Sequence, residues 1–261
     1  KYEGTITWPL IVGPGFCGAT HPGAENIFNI IMVSSNGLIY NSDCLYVNPS
    51  QKVFAISDAP GMSTRSRKLF AKLDHYLQTS SIDDLETIIN DLNKETRMGD
   101  RATLSLVCFS KNSFGEALAF VAGDTYLFHG NIFHRRMGRI EDNAEFIGTP
   151  HIHFKPKRID LAEGDFFVIV SDGITSIRGN NHELKLEEIL WDHINGDLEN
   201  FAFTAIKSCN SILGERIFNR VITRFGGSDN VSALLVYPEK LIDSNYKGSI
   251  ILGGDVGERM A

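Results

Sequence analysis

The chain has 261 residues, 43% hydrophobic and 22% charged, with a formal net charge of −7, the balance of a folded globular protein with a real core. The carboxylate excess argues against a nucleic-acid surface, which needs clustered Lys and Arg, and Cys17, Cys44, Cys108 and Cys209 are too scattered for a zinc knuckle or a dense disulfide framework. No apolar run reaches the roughly 18 to 20 residues needed to cross a bilayer, and the opening segment lacks a signal-peptide pattern, so a cytoplasmic protein with neither nucleic acid nor membrane as partner is expected.

The predicted elements begin after a leader, residues 1–25, with a strand from Ile27 to Ser34 and another from Lys52 to Ser57, both β-branched or aromatic runs bounded by polar turn residues. From Ser63 to Lys94, Leu69, Leu73, Tyr76 and Leu77, then Leu85, Ile88, Ile89 and Leu92 recur every three or four residues, which predicts two helices. Ser81 followed by Asp84 is a capping pair that starts the second of them. Strands follow at Thr103 to Phe109, Ala117 to Ala122 and Thr125 to His129. Between Asn131 and Asp165 the chain is basic and irregular, through Arg135, Arg136, Arg139, Lys155, Lys157 and Arg158, and reads as a surface segment whose basic run is a plain solvated face in preference to the alternative, a contact for an acidic or phosphorylated partner. A strand from Asp165 to Ser171, helical spacing from Leu186 to Arg224 and a last strand from Val231 to Tyr237 complete a domain of residues 26–238, before a tail of residues 239–261. Strands, a helix pair, strands and then helices before a final strand point to an α+β fold with helices set against antiparallel sheets.

Three of these strands run straight into an aspartate: Val53 to Asp58, Ala119 to Asp124, and Phe166 to Asp172. Asp229 instead precedes a strand, so it lies at the same edge if that strand runs the opposite way. Carboxylates gathered in this manner repel one another unless cations neutralise them, and oxygen ligands suit Mg2+ or Mn2+ better than zinc. Taken singly, most strand-end aspartates only close turns onto their own backbone; the order of the set is what points elsewhere.

Asn41-Ser42-Asp43, Asp58-Ala59-Pro60-Gly61-Met62, Ala102-Thr103-Leu104, Gly123-Asp124-Thr125, Ser171-Asp172-Gly173 and Ser228-Asp229-Asn230 occur in one order over residues 41–237. Together they resemble the metal-dependent serine/threonine protein phosphatases of type 2C, with the Ser-Asp-Gly and Asp-Asn elements matching in full. The resemblance implies a four-layer α-β-β-α sandwich of two antiparallel sheets flanked by helix pairs, and two divalent cations, Mg2+ or Mn2+, at one end of it. It implies that Asp58 bridges both metals, that Asp172 and Asp229 complete the first site, and that Asp43 and the carbonyl of Ala59 serve the second. It also places Asp124 at a weaker third metal, with Asp58, Asp172 and Asp229 as the catalytic set. The activity implied is hydrolysis of phosphoserine and phosphothreonine in proteins by a metal-bridging hydroxide, with a phosphorylated protein substrate as partner and a cognate serine/threonine kinase system opposing it. No covalent phosphoenzyme is required, since none of the four cysteines has an Arg six residues later.

Three departures from the pattern support the rival expectation of a catalytically weak relative that binds phosphoproteins or regulates a partner. Ala59 and Pro60 replace glycine after the bridging aspartate, and Pro60 restricts the dihedrals of Ala59. Ser42 stands where the family has Glu. No Arg precedes Asp43 to fork onto phosphate, leaving Arg65, Arg67 or Lys68 as substitutes on what reads as a solvated helix face. His151 and His153 have metal-ligand spacing, but they lie outside every motif and have no partner cluster.

Overall fold

In the computed structural model, which describes residues 10–21, 39–61, 63–110, 115–141, 143–174, 230–241 and 248–257, every sheet pairing is antiparallel. Among the described residues one sheet has six strands: β1 (Leu10–Gly13), β2 (Phe16–His21), β11 (Val231–Val236), β10 (Asp165–Val170), β7 (Tyr126–Asn131) and β8 (Arg136–Arg139), in that spatial order. The second also has six: β12 (Ile250–Gly257), β3 (Ile39–Asn48), β4 (Val53–Ser57), β5 (Leu104–Phe109), β6 (Glu116–Ala122) and β9 (Lys157–Asp160). The α+β sandwich of two antiparallel sheets expected from the sequence is thus observed.

Alternation of side chains along each strand sorts the core into layers. Leu45, Phe54, Ile56, Val107, Val121, Phe167, Ile169 and Leu234 meet between the two sheets. Cys44, Tyr46, Val53, Ala55, Leu104 and Leu106 point the other way, against α1 (Arg65–Thr79) and α2 (Leu85–Glu95) through Leu69, Phe70, Leu73, Ile88, Ile89 and Leu92. The helix pair predicted over residues 63–94 is therefore present. Ser81 does act as a cap, its hydroxyl accepting from the Asp83 N–H at 3.3 Å, but it caps a short 3-10 turn, Ile82–Asp84, that leads into α2. Because both faces of the second sheet are covered, β4 and β5 are buried along their whole length and read as continuous apolar runs.

Strands β4, β5, β6, β7, β10 and β11 fall where the sequence predicts them. The segment read as irregular, residues 131–165, contains the two edge strands β8 and β9, each four residues long. Residues 10–21 and 250–257, within the expected leader and tail, form β1, β2 and β12 and are hydrogen-bonded into the two sheets. The strand expected at 27–34 and the helices expected over 186–224 lie outside the described residues. Among the described residues no helix is long and apolar enough to cross a membrane.

Candidate metal centre

Antiparallel pairing brings the motif residues to one end of the sandwich. β4 and β6 both pair with β5, so they run the same way and deliver Asp58 and Asp124 to a shared edge. In the other sheet β10 carries Asp172 to that edge, and β11, which runs opposite to β10, starts there at Asn230. One carboxylate oxygen from each of Asp58, Asp124 and Asp172 lies within 4.8 Å of the others; Asp58 and Asp172 are half-buried, while Asp124 is exposed. Two such charges at that separation repel by roughly 3 to 4 kcal/mol at an effective dielectric of 20, less where solvent reaches Asp124. An ion held at about 2.1 Å by oxygen ligands spans about 4.2 Å between opposite ones. A single hard cation therefore fits among the three with small movements.

Asp43 lies beneath this cluster, on the face of β3 that looks into the space between the sheets, and is fully buried. Burial, aided by the charge of Asp172, pushes its carboxyl up from an ordinary 3.8 to about 7, although Ser171, Ser232 and Asp58 are near enough to pull it partly back. Among the described residues neither of its oxygens has a hydrogen-bond partner of good geometry. A buried carboxylate in that condition is costly, and a cation beside it is the chemical complement. The donor set of four carboxylates, with no imidazole or thiolate among them, fits Mg2+ or Mn2+.

The surrounding chain holds these groups by short bonds. Asp58 and Thr103 exchange two of them: the Asp58 N–H donates to the Thr103 hydroxyl at 2.7 Å, and the Thr103 N–H donates to the Asp58 carbonyl at 2.8 Å. A buried run of hydroxyls crosses between the sheets under Asp43. Asn41 Nδ2 and the Ser232 hydroxyl both donate to Thr20 Oγ1 at 2.7 Å, while the Ser232 N–H donates to Ser171 Oγ at 2.9 Å. Asn230 Oδ1 accepts from the Ser42 N–H at 2.7 Å and so ties β11 to β3. Close approach also fixes one glycine, since a Cβ on Gly173 would overlap the Asn230 carbonyl oxygen.

No protein-family model matches the sequence, and no curated protein matches it. Solved structures do match in three dimensions. The serine/threonine phosphatase MsPP from Mycobacterium smegmatis, solved with cacodylate, has a TM-score of 0.60 at 18% identity, over 85% of this chain and 97% of its own. The SiaA type 2C domain of Pseudomonas aeruginosa gives 0.59 at 14% identity, over 76% and 81%. The catalytic domain of the serine/threonine phosphatase PstP, solved with 2 manganese ions, gives 0.55 at 14% identity, over 88% and 99%. The fold is that of the type 2C phosphatases.

Within this type 2C fold, Asp58, Asp124 and Asp172 come together and Asp43 sits directly below them. Asp229 is outside the described residues, although its neighbour Asn230 is at the cluster. Ala59 is buried against the helix-covered core. The Ser42 hydroxyl donates to the Gly61 carbonyl, so the residue that replaces a carboxylate ties the loop after Asp58 to β3. Of the three basic residues expected from the sequence to stand in for a phosphate-binding Arg, Arg67 donates through Nη1 to the Gly253 carbonyl of β12 at 3.0 Å. His151 stands at a left-handed φ of 64°, and His153 pairs at 3.0 Å with Glu86 on the exposed side of α2; neither belongs to the aspartate cluster. Sequence reasoning missed Thr20 and Ser232, whose short polar side chains carry no signal until β2 and β11 are seen to be neighbours.

Proposed function

We propose that the chain is a metal-dependent phosphatase of the type 2C kind, hydrolysing phosphoserine and phosphothreonine in proteins. The observation that carries this reading is the convergence of Asp58, Asp124 and Asp172 within 4.8 Å above the buried Asp43. Asp58, Asp172 and Asp229 are the residues proposed to hold the first divalent ion, Asp43 and the Ala59 carbonyl to serve a second, and Asp124 to serve a weaker third. Mg2+ or Mn2+ bound there supplies a nucleophile at neutral pH and stabilises the charge that develops on phosphoryl oxygens. Burial raises the Asp43 carboxyl to about 7, so a cation beside it is what would hold it fully charged at neutral pH, and the Ser171 and Ser232 hydroxyls stand next to it. Thr103 holds the Asp58 backbone, which fixes where its carboxylate points.

The competing reading, a weak relative that binds phosphoproteins or regulates a partner, is favoured by two contacts: Ser42 spends its hydroxyl on Gly61, and Arg67 spends its guanidinium on Gly253. Mn2+-dependent hydrolysis of an aryl phosphate and of a phosphothreonine peptide decides between them, run beside Asp172→Ala and with Mn2+ binding followed by calorimetry. Hydrolysis of both substrates, lost together with Mn2+ binding in Asp172→Ala, is the expected result. Tight Mn2+ binding without hydrolysis selects the regulatory reading; activity undiminished in Asp172→Ala refutes the metal assignment.

A further inference from the structure

The basic residues of the 131–165 segment lie together in space. Among the described residues β8 and β9 are the last strands of their respective sheets, and between them, at the lateral mouth of the sandwich, is a cavity of about 460 Å³ lined by Arg136, Arg139, Lys157 and Arg158 and, among the described residues, by no carboxylate. Met137 packs on the outer face of its sheet and Ile159 on the inter-sheet core. Alternation then sets Arg136 on the inter-sheet face of β8, and Lys157 on the inter-sheet face of β9 beside Ile159. Arg158 is paired with Glu116 at 2.8 Å and Arg139 lies 4.2 Å over the Tyr126 ring, whereas Arg136 and Lys157 make no ion pair among the described residues.

We propose that this mouth is a docking groove for an extended acidic segment of a protein partner. Basic residues on edge strands also discourage sheets from joining edge to edge, but that purpose needs no cavity and no cation facing inward from both walls. Here two exposed cations with no counter-ion among the described residues face one space, in a chain whose net charge is −7. Neither β8 nor β9 pairs with a further strand on its outer side among the described residues, an edge geometry that suits a ligand in strand conformation, and Ile140 and Ile159 give the groove an apolar part. Gly138, in the middle of β8, keeps it open: a Cβ there meets nothing within 4 Å. Arg139 is paired with Phe128, four residues along from Asp124, so the groove begins about 13 Å from the aspartate cluster and runs away from it. The overall negative charge disfavours nucleic acid as the occupant. The proposal goes beyond the phosphatase reading and does not depend on turnover.

The test is fluorescence polarisation with an unphosphorylated fluorescein-labelled peptide of about eight residues, roughly 26 Å when extended, in which glutamate alternates with serine and leucine. The full chain is expected to bind it, to prefer it to the same peptide with lysine for glutamate, and to lose affinity as salt is raised. Arg136→Glu with Lys157→Glu, and separately Gly138→Glu, should each weaken binding by about tenfold or more, with unchanged circular dichroism and with Asp172→Asn binding as the wild type does. The milder pair Arg136→Gln and Lys157→Gln, expected to weaken binding about threefold, covers the case in which charge reversal upsets the edge. Absent binding, no preference for acid over base, or unaltered affinity in the groove variants overturns the proposal. So does an oligodeoxynucleotide of equal charge that binds as tightly at the same residues, or a dimer that Arg136→Glu dissociates in sedimentation.

Discussion

Two buried aspartates, at opposite ends of the sandwich, have opposite fates. Asp165, at the start of β10, accepts from Asn131 Nδ2 at 2.6 Å and the Ala162 N–H at 2.9 Å, and His129 Nε2 stands 3.0 Å away. Its charge is matched by groups of its own sheet and loop. Asp43 is buried as deeply, but has neighbours that are themselves carboxylates and hydroxyls already engaged with one another. One carboxylate serves to close a turn; the other is complete only when something positive arrives. Burial alone does not separate a structural acid from a functional one, whereas the supply of donors around it does.

The largest effect that tests this contrast is at the cluster. Asp58→Asn should lower Mn2+-dependent hydrolysis of an aryl phosphate by about a thousandfold, near 4 kcal/mol, while leaving the thermal midpoint in chelator essentially unchanged. A large fall in that midpoint would make Asp58 structural and erase the distinction.

Next in size among the substitutions, Asp165→Ala should cost about 3 kcal/mol of stability in chemical denaturation, because the Asn131 amide and the Ala162 N–H lose their buried acceptor. Mn2+ affinity should not move. A variant that stays stable but binds Mn2+ weakly would reverse the assignment of the two acids.

The pH dependence sharpens the contrast further. Between its ordinary value of 3.8 and its folded value of about 7, Asp43 holds a proton in the folded protein that it has lost in the unfolded one. The metal-free protein is therefore stabilised by this group at acid pH and loses that stability as pH rises through about 7. Melting in chelator should show the loss, on the order of 4 kcal/mol between about pH 4 and pH 7, and Asp43→Asn should flatten it while weakening Mn2+ binding. A flat profile in the unsubstituted protein would show that Asp43 is already compensated.

The smallest effect is expected at Thr20→Val, which removes the acceptor shared by Asn41 and Ser232. It should cost about 1 kcal/mol of stability and lower Mn2+ affinity by about tenfold, with Thr20→Ser restoring most of both. Loss of stability with unchanged metal affinity would confine Thr20 to packing.

Much of the fold was legible because β4, β5, β10 and β11 are buried on both faces and spell out apolar runs, and because α1 and α2 bury one stripe each. β3 escaped notice as a strand because its first half carries Asn41, Ser42 and Asp43, polar residues whose burial only the site explains. β8 and β9 escaped because edge strands carry the charges that a sequence reader takes for a loop, as Arg136, Arg139, Lys157 and Arg158 do. Asp58, Asp124 and Asp172 were marked by the strands leading into them, and it was their order as a set, with no one of them sufficient alone, that pointed to a metal site.

By itself, the sequence determined which carboxylates end strands and in what order, since a strand's apolar run and its terminal aspartate are neighbours in the chain. Only the tertiary structure decided that three of them share one edge, that Asp43 lies beneath without adequate donors, and that Thr20 and Ser232, 212 residues apart, support it together. The reason is physical: local pattern records what each residue prefers, whereas charge repulsion, desolvation and hydrogen-bond supply depend on neighbours that antiparallel pairing brings from distant parts of the chain.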